Sequence, residues 1–527
     1  MDALDFIKGF SDEYAVLFEA QTTSYYKASI SGSDEDYALN ESAQKKMIDF
    51  LSDKSKFNKV NAYISSADVN SISQRELVVI RNLLLPFQGD KEVLHKISDI
   101  ETNAVKKFNN FRVKVGERVF SDNEVNDILS KSSDSVLREE VWQASKEIGA
   151  VVEKDILELV NLRNKLAQSL GYKNFYHLGL AQQEQSYDEI LELFDKLDVL
   201  TKDSFEVCMK DMQSDICKRF NIDVASIRPW HFEDRFFQEP ISVEGLDLDS
   251  FYDKDVIEVS RKFFDSVGLS ASDVLDRSSL YPQEGKCQHA FAEDLNRSGN
   301  DVVILLNVKN NESWLSTTLH ELGHAVYWKG IDSSLPFLLK ETAHTFATEA
   351  VAMFFGRFTK LGSFASQYSS VPNLSTSDIA LFEKSLRRSM LVLSRWVQVM
   401  VRFEMGLYDN PNQDLNLLWW DLVKRYQLVD FSRDAPDWAS KYHILNAPVY
   451  YHNYLLGELL ASQFTFYLYD VLGFKDFNSV DSNFNPALGD FFKGFFKYGL
   501  SLHYNDLIKK VTGNSLDPAF FAKQFLD

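Results

Sequence analysis

The chain has 527 residues, of which 45% are apolar types and 25% are charged, a balance that excludes a disordered or fibrous protein. Its net charge of −21 at pH 7 argues against a nucleic-acid-binding protein, because phosphate binding needs clustered Lys and Arg. Peptides or cationic molecules are better partners for such a chain.

No stretch of the sequence approaches the roughly 20 apolar residues of a membrane span, so no membrane partner is expected. Residues 1–10 are acidic and lack the basic start and apolar run of a signal peptide. The three cysteines, Cys208, Cys217 and Cys287, have no metal-ligand spacing, and reduced thiols are the simplest expectation. These features together predict a cytoplasmic enzyme.

Gly (22) and Pro (11) are scarce, and apolar residues recur at spacings of three and four, which predicts a mostly helical chain. The Ser- and Asp-rich interval 29–37 predicts a loop between the first two helices. No repeat or low-complexity linker divides the sequence, so a single domain over residues 1–527 is expected. The long helical patterns cover residues 4–26, 42–51, 73–85, 137–170, 187–220 and 256–267.

The pattern changes between residues 287 and 308. Residues 288–295 and 302–308 flank the turn-rich segment 296–300, which predicts one small β-hairpin. Residues 313–328 then predict a helix with Asn311 or Ser313 as its N-cap.

This helix carries an H-E-x-x-H motif formed by His320, Glu321 and His324. The i, i+4 spacing places both imidazoles on one helix face, where two nitrogens can bind one zinc ion. A third protein ligand would leave one position for water, and Glu321 would take the proton of that water. Two surface histidines on a helix are the alternative, but the apolar neighbours predict burial, and burying these groups without a metal is costly.

Residues 337–358 form a second apolar helical pattern with three candidates for the third ligand, Glu341, His344 and Glu349. Glu349 is preferred, because an unpaired carboxylate would be expensive in its apolar surroundings. Glu341 lies nearer the helix start, where a helix-dipole interaction is the commoner role. His344 is the weakest of the three.

Several segments from residue 287 onward resemble the angiotensin-converting enzyme family of peptidyl dipeptidases, within the wider group that includes thimet-type oligopeptidases. The resemblance covers most of the chain and is strongest between Cys287 and Phe464. Its motifs are Gln288-His289-Ala290-Phe291, the zinc motif, Leu335-Pro336 with Lys340-Glu341 and Glu349, Lys441-Tyr442-His443, and Pro448-Val449-Tyr450-Tyr451-His452-Asn453-Tyr454.

The resemblance implies roles for four aromatic side chains. His289 and His443 would donate hydrogen bonds to the substrate carbonyl just past the cleaved bond. Tyr454 would stabilise the oxyanion that forms beside zinc. Tyr451, three residues earlier, would face the same side of a helix as Tyr454.

The family also uses a lysine to hold the free C-terminal carboxylate of the substrate, and Lys441 stands at that position. A cation at this position would hold the chain end so that cleavage occurs two residues before it. The alternative is an ordinary surface lysine. Ala290 and its neighbours would offer backbone groups to an extended peptide, which would add as a strand to the hairpin edge.

Three residues depart from the family pattern. Asn453 replaces an arginine linked to chloride activation, so chloride dependence is not expected. Met353 replaces an aspartate that supports the zinc ligands, which leaves their orientation to another group. Phe232 stands in place of a carboxylate-binding glutamine, which weakens the dipeptide-releasing assignment.

The resemblance implies an all-α, two-lobed helical ellipsoid with interleaved lobes, a deep central cleft and a zinc-site segment at about residues 287–464. The expected function is zinc-dependent hydrolysis of oligopeptides with Glu321 as general base and release of C-terminal dipeptides. A zinc oligoendopeptidase or carboxypeptidase of the same fold is the enzymatic alternative. An inactive peptide-binding homologue is the alternative outside enzymes.

Overall fold

The computed structural model describes residues 2–66, 68–371, 374–479, 482 and 484–526. Helices dominate these residues, which confirms the all-α class. The α-helices in chain order are α1 Ala3–Ser31, α2 Asp34–Leu51, α3 Lys54–Ser66, α4 Ser71–Leu84, α5 Lys91–Asn110, α6 Asp122–Lys131, α7 Ser135–Ser169, α8 Phe175–Gln182, α9 Tyr187–Phe220, α10 Leu248–Phe251, α11 Val256–Ser266, α12 Ser272–Arg277, α13 Glu312–Lys329, α14 Thr345–Gly356, α15 Gly362–Tyr368, α16 Thr376–Asp409, α17 Leu415–Gln427, α18 Tyr442–Asn446, α19 His452–Asp470, α20 Pro486–Phe496, α21 Tyr504–Thr512 and α22 Pro518–Lys523.

The chain divides into two compact units, each assembled from separate stretches of sequence. Unit 1 comprises Met1–Gln88, Leu246–Glu383 and Leu456–Phe521, and unit 2 comprises Gly89–Gly245, Lys384–Leu455 and Ala522–Asp527. The expected single domain and its central cleft stay predictions. Within the described residues, no helix combines the length and hydropathy needed to cross a membrane.

The predicted loop at residues 29–37 is wrong. Helix α1 continues to Ser31, and α2 begins at Asp34, so only two residues separate the helices. Gly32 ends α1 in the left-handed conformation, with φ of 62°. Ser33 caps α2 by accepting a hydrogen bond from the backbone N–H of Asp36. The Ser and Asp residues of this interval therefore cap and start a helix.

The predicted hairpin is present in unit 1, with shorter strands than expected. Strand β3 (Phe291–Asp294) pairs antiparallel with β4 (Val302–Leu305), and Phe291 lies opposite Leu305. The Asp294 carboxylate accepts a hydrogen bond of 2.8 Å from the backbone N–H of Gly299, which closes the turn.

Unit 2 contains a second hairpin that was not predicted. It joins strand β1 (Val113–Val115) to strand β2 (Arg118–Phe120) through Gly116 and Glu117, and Gly116 has a φ of 59°. Strands of three residues are too short to show an alternating pattern, so only the glycine marked this turn. The expectation of a single hairpin was therefore incomplete.

The zinc-motif helix α13 begins as predicted, because the Asn311 side chain accepts a hydrogen bond from the backbone N–H of Trp314 at 2.9 Å. The helix predicted at residues 337–358 is interrupted. A short 3-10 turn covers Phe337–Leu339, and α14 begins only at Thr345, with His344 as its N-cap. Glu341 therefore precedes α14 and is not part of its first turn.

Helices α13 and α14 approach each other at Gly323. A Cβ atom at position 323 would lie 2.7 Å from the Cα and 3.1 Å from the backbone nitrogen of Ala352. Backbone atoms cannot move aside as a flexible side chain can. The separation of the two helices therefore requires glycine at position 323.

Unit 2 is held together by buried arginines that join distant segments. The guanidinium of Arg388 on α16, only 1% exposed, contacts the carboxylates of Asp211 and Asp215 on α9. Arg163 on α7 donates hydrogen bonds to the Tyr408 hydroxyl at 3.1 Å and to the Leu445 carbonyl at 3.0 Å. These contacts fix α7, α9 and α16 around the segment that leads into α19.

Gly323→Ala should destabilise the protein, because the added methyl group meets the backbone of α14. Overpacking of this kind costs about 1–3 kcal/mol of unfolding free energy. The matched control is Gly494→Ala on α20, where a Cβ would have no atom within 4 Å, and the substitution should stabilise by roughly 0.5–1 kcal/mol. Thermal and urea unfolding of both variants measure the difference, and equal effects of the two substitutions would contradict this packing argument.

Candidate active site

The motif residues lie in the middle of α13, which is anchored by a buried apolar face. Leu315, Leu319 and Leu322 are at most 1% exposed. The imidazole rings of His320 and His324 lie one helical turn apart, with centroids 4.9 Å from each other and planes at 84°. The two rings therefore present their nitrogens to one common point, as the spacing predicted.

Glu349 on α14 completes a group of three potential metal ligands. One ligand atom each of His320, His324 and Glu349 lies within 4.8 Å of the others. The distance from His320 Nε2 to Glu349 Oε2 is 3.7 Å. Glu349 is 6% exposed, in agreement with the burial argument that favoured it from the sequence.

The two other candidate ligands have different partners. Glu341 accepts a hydrogen bond of 2.7 Å from Trp328 Nε1 and one of 2.9 Å from the backbone N–H of Thr342. His344 caps α14 by accepting a hydrogen bond from the backbone N–H of Phe346 at 3.2 Å. Neither residue belongs to the group that could hold a metal.

The electrostatics of this group suit a cation. Burial lowers the pKa of His320 to about 4 and holds the pKa of His324 well below its usual value, so both rings are neutral at pH 7. Neutral imidazole is the form that binds metals. Two imidazole nitrogens and one carboxylate oxygen form the ligand set of catalytic zinc sites, which leave a fourth position open.

Glu321 lies buried beside this group, at 7% exposed. Burial, followed by the charge of Glu349, raises the pKa of Glu321 to about 8. A cation bound by the three ligands would favour the ionised carboxylate and lower that pKa. Glu321 is therefore a carboxylate whose proton affinity depends on the charge next to it, as a general base requires.

One residue next to the metal group escaped the sequence argument. The Nδ1 atom of His324 forms a 2.7 Å hydrogen bond with Thr348 Oγ1, which leaves Nε2 for a metal. Among the described residues, His320 Nδ1 has no such hydrogen bond, and Met353 supplies no polar atom in place of the family aspartate. Thr348 was missed because its contact depends on the packing of α14 against α13.

His289 and Ala290 precede the hairpin in unit 1. His289 is exposed, and no hydrogen bond or ring contact joins it to another described residue. Ala290 lies directly before β3, which begins at Phe291. The predicted strand from residue 288 is therefore too long, and both residues lie at the entrance to the strand.

The remaining predicted site residues lie in unit 2, and Lys441 is the most informative of them. Lys441 is only 8% exposed, so it is not an ordinary surface lysine. Its Nζ atom donates a 2.6 Å hydrogen bond to Gln238 Oε1. The same atom lies 5.3, 5.2 and 5.6 Å from the ring centroids of Phe236, Trp396 and Tyr451.

The charge of Lys441 is weakened by its surroundings. Burial lowers its pKa to about 8, and the charge of Arg235 acts in the same direction. The carboxylates of Asp234 and Glu239 oppose this shift. Lys441 is therefore a partly compensated cation in an aromatic cage, and it can accept a further anion.

Three other predicted residues cluster beside Lys441 in unit 2. The Tyr451 ring centroid lies 5.1 Å from that of His443 and 5.3 Å from that of Tyr454. Trp396 Nε1 donates a 2.6 Å hydrogen bond to the Tyr451 hydroxyl. Tyr451 directly precedes α19, which begins at His452, so only Tyr454 lies within the helix, although the two rings are in contact.

The interpretation of Phe232 also needs correction. Phe232 is fully buried and stacks on Phe237 with ring centroids 4.0 Å apart, so it is a core residue. The glutamine beside Lys441 is Gln238, six residues later. Nothing in the local sequence marked Gln238, because its contact with Lys441 joins residues 203 positions apart.

Asn453 is fully buried in a network of neutral amides. Its Nδ2 atom donates to Gln183 Oε1 at 2.9 Å, and its Oδ1 atom accepts from Gln185 Nε2 at 3.2 Å. No charged group takes part in these hydrogen bonds. The expectation about chloride dependence stays a prediction.

Comparison with known proteins agrees with the geometry. The angiotensin-converting enzyme family, peptidase family M2, matches residues 1–203 and 243–525, which is nearly the whole chain. A search of curated proteins found no match. The match leaves out residues 204–242, the segment that contains Phe232 and Gln238, and it includes every site residue predicted from the sequence, from His289 to Tyr454. The chain therefore belongs to the angiotensin-converting enzyme family of zinc metallopeptidases and is a peptidyl-dipeptidase.

Proposed function

We propose that this enzyme cleaves the second-last peptide bond of oligopeptides that have a free C-terminal carboxylate. The observation that carries the proposal is the buried Lys441, which lies among Gln238, Tyr451 and Trp396. A substrate carboxylate would stabilise the ammonium group in this cage through a charge-assisted hydrogen bond. A neutral chain end would give no such stabilisation. Binding of the chain end then sets which bond is cleaved.

The hydrolytic step is assigned to the metal group. His320, His324 and Glu349 would hold zinc, with Thr348 orienting His324. Zinc acts as a Lewis acid and makes water nucleophilic at neutral pH. Glu321 would take the proton of the attacking water and deliver it to the leaving amine.

The other side chains would stabilise charge and fix the peptide. The Tyr454 hydroxyl would donate a hydrogen bond to the developing oxyanion, and losing such a donor typically costs about 10²- to 10³-fold in kcat. His443 and His289 would donate to the carbonyl beyond the cleaved bond. The backbone at Ala290, at the start of β3, would pair with the extended peptide.

Thr348→Val should weaken zinc binding, because the methyl group removes the hydrogen bond that orients His324. Loss of such a partner typically lowers metal affinity by about 10- to 100-fold. Thr348→Ser keeps the hydroxyl and should retain the parent affinity. Competition with a chromogenic chelator measures the zinc affinity of both variants. A valine variant that binds zinc as tightly as the parent would show that Thr348 does not support the metal site.

Glu321→Gln should abolish most hydrolysis while zinc stays bound, since glutamine cannot accept the proton of water. General acid–base groups contribute about 10²- to 10⁴-fold to rate. Metal content is measured alongside kcat, with Glu258→Gln, an exposed acid on α11, as the charge-matched control. Parent activity in the zinc-loaded Glu321 variant would show that another group is the base.

Lys441→Met should raise KM for free-acid peptides by about 10- to 100-fold, the value of a hydrogen bond to a charged group. It should leave cleavage of C-terminally amidated peptides nearly unchanged. Lys424→Met on α17 is the control, because that lysine is exposed. Mass analysis of the products identifies the cleaved bond, and equal cleavage of free and amidated peptides by the parent would favour an endopeptidase.

The same assignment predicts a pH dependence. The pKa of Lys441 is lowered to about 8, so the ammonium is present below pH 8 and is lost above it. For free-acid peptides, kcat/KM should therefore fall as the pH rises through 8. This alkaline limb of the pH profile should be absent with amidated peptides and in the Lys441→Met variant. A limb that persists in the methionine variant belongs to another group.

A further inference from the structure

The backbone of Val449, two residues before Tyr451, has an unfavourable conformation. Its φ is 55°, in the left-handed region that glycine and asparagine favour. Among the described non-glycine residues with positive φ, only Val449 is β-branched. A β-branched side chain is the least tolerant of this conformation, so surrounding contacts must maintain it.

Three contacts within unit 2 hold Val449 in place. Its backbone N–H donates a 2.7 Å hydrogen bond to Glu404 Oε1, and its carbonyl accepts one of 2.9 Å from Gln183 Nε2. Its side chain packs on Gly179, where a Cβ atom would lie 2.9 Å from Val449. Both polar groups of the strained residue are thus bound by side chains from other helices or their ends.

Glu404 is itself held in a buried position on α16. It is 3% exposed, and burial raises its pKa to about 7, an effect that the nearby charge of Arg163 opposes. Arg163 is fixed in turn by its hydrogen bonds to Tyr408 and to the carbonyl of Leu445. The carboxylate therefore offers Val449 an acceptor with little freedom to move.

The turn at Val449 determines where α19 begins. The backbone N–H of Asn453 donates to the Tyr450 carbonyl at 2.9 Å, and that of Tyr454 donates to the Tyr451 carbonyl at 3.3 Å. These bonds form the first turn directly after Val449. A change in the φ of Val449 would redirect the chain at Tyr451 and at Tyr454.

We infer that Glu404 is a positioning residue for the substrate site, because its hydrogen bond to Val449 maintains the left-handed turn that orients Tyr451 and Tyr454. The inference rests on the proposed roles of these two tyrosines. Glu404 does not touch substrate in this scheme, and it acts through the backbone alone.

The test compares Glu404→Leu with Glu404→Gln. Leucine removes the acceptor and should lower kcat/KM for a free-acid peptide by up to about 10²-fold, the cost of a misplaced catalytic group. Glutamine keeps an amide oxygen and should retain most of the activity. Zinc content should stay at the parent level in both variants, since the metal ligands lie on other helices.

A second substitution separates positioning from general destabilisation. Glycine adopts positive φ without strain, so Val449→Gly in the Glu404→Leu background should recover a large part of kcat/KM. A variant that had merely lost packing would gain nothing from this change. No recovery, or parent activity in Glu404→Leu alone, would overturn the inference.

Double-mutant cycles with Tyr451→Phe and Tyr454→Phe distinguish this inference from the proposed function. If the tyrosines act as proposed, each phenylalanine variant loses activity, and adding Glu404→Leu should then cost much less than it does alone. Fully additive losses would overturn the role of Glu404 and keep that of the tyrosines. Phenylalanine variants with parent activity would overturn both.

Discussion

The metal group depends on the close approach of α13 and α14. Gly323 allows the backbone of Ala352 to lie where a side chain would otherwise be, and this separation brings Glu349 within reach of His320 and His324. The same packing brings Thr348 to His324. A wider gap would weaken the ligand set and its hydrogen-bonded support together, so one helix contact controls both.

Burial gives the residues of unit 1 their chemical character. Neutral imidazoles, a buried Glu349 and a Glu321 with a raised pKa are unfavourable as a set without a cation. A zinc ion held by His320, His324 and Glu349 would compensate the carboxylates and would favour the ionised form of Glu321, which can accept a proton. The groups that make the unit costly to fold are therefore those that make it reactive, which is common at sites with perturbed pKa values.

Local sequence rules predicted the parts of the site that lie on one element. The i, i+4 histidines and the Asn311 cap follow from helix geometry, and Glu349 followed from the cost of an unpaired buried carboxylate. Thr348, Gln238 and the late start of α14 could not be predicted, because each depends on a contact between distant segments. Phe232 illustrates the limit: position relative to a family motif suggested a lost function, whereas Gln238 is the glutamine that contacts Lys441.

In unit 2, burial likewise sets the chemical character of a charged group, which here is the cation Lys441. Lys441 is buried among aromatic rings, and its pKa is lowered because these surroundings stabilise the ammonium group less well than water does. The charges of Asp234 and Glu239 oppose the lowering of that pKa, and Gln238 offers Lys441 a neutral acceptor. A carboxylate from outside would be the strongest partner that the cage could receive. If Lys441 binds the chain end as proposed, discrimination would come from the incompletely compensated charge of the free enzyme, and selectivity for a free chain end would require no contact with the substrate side chains.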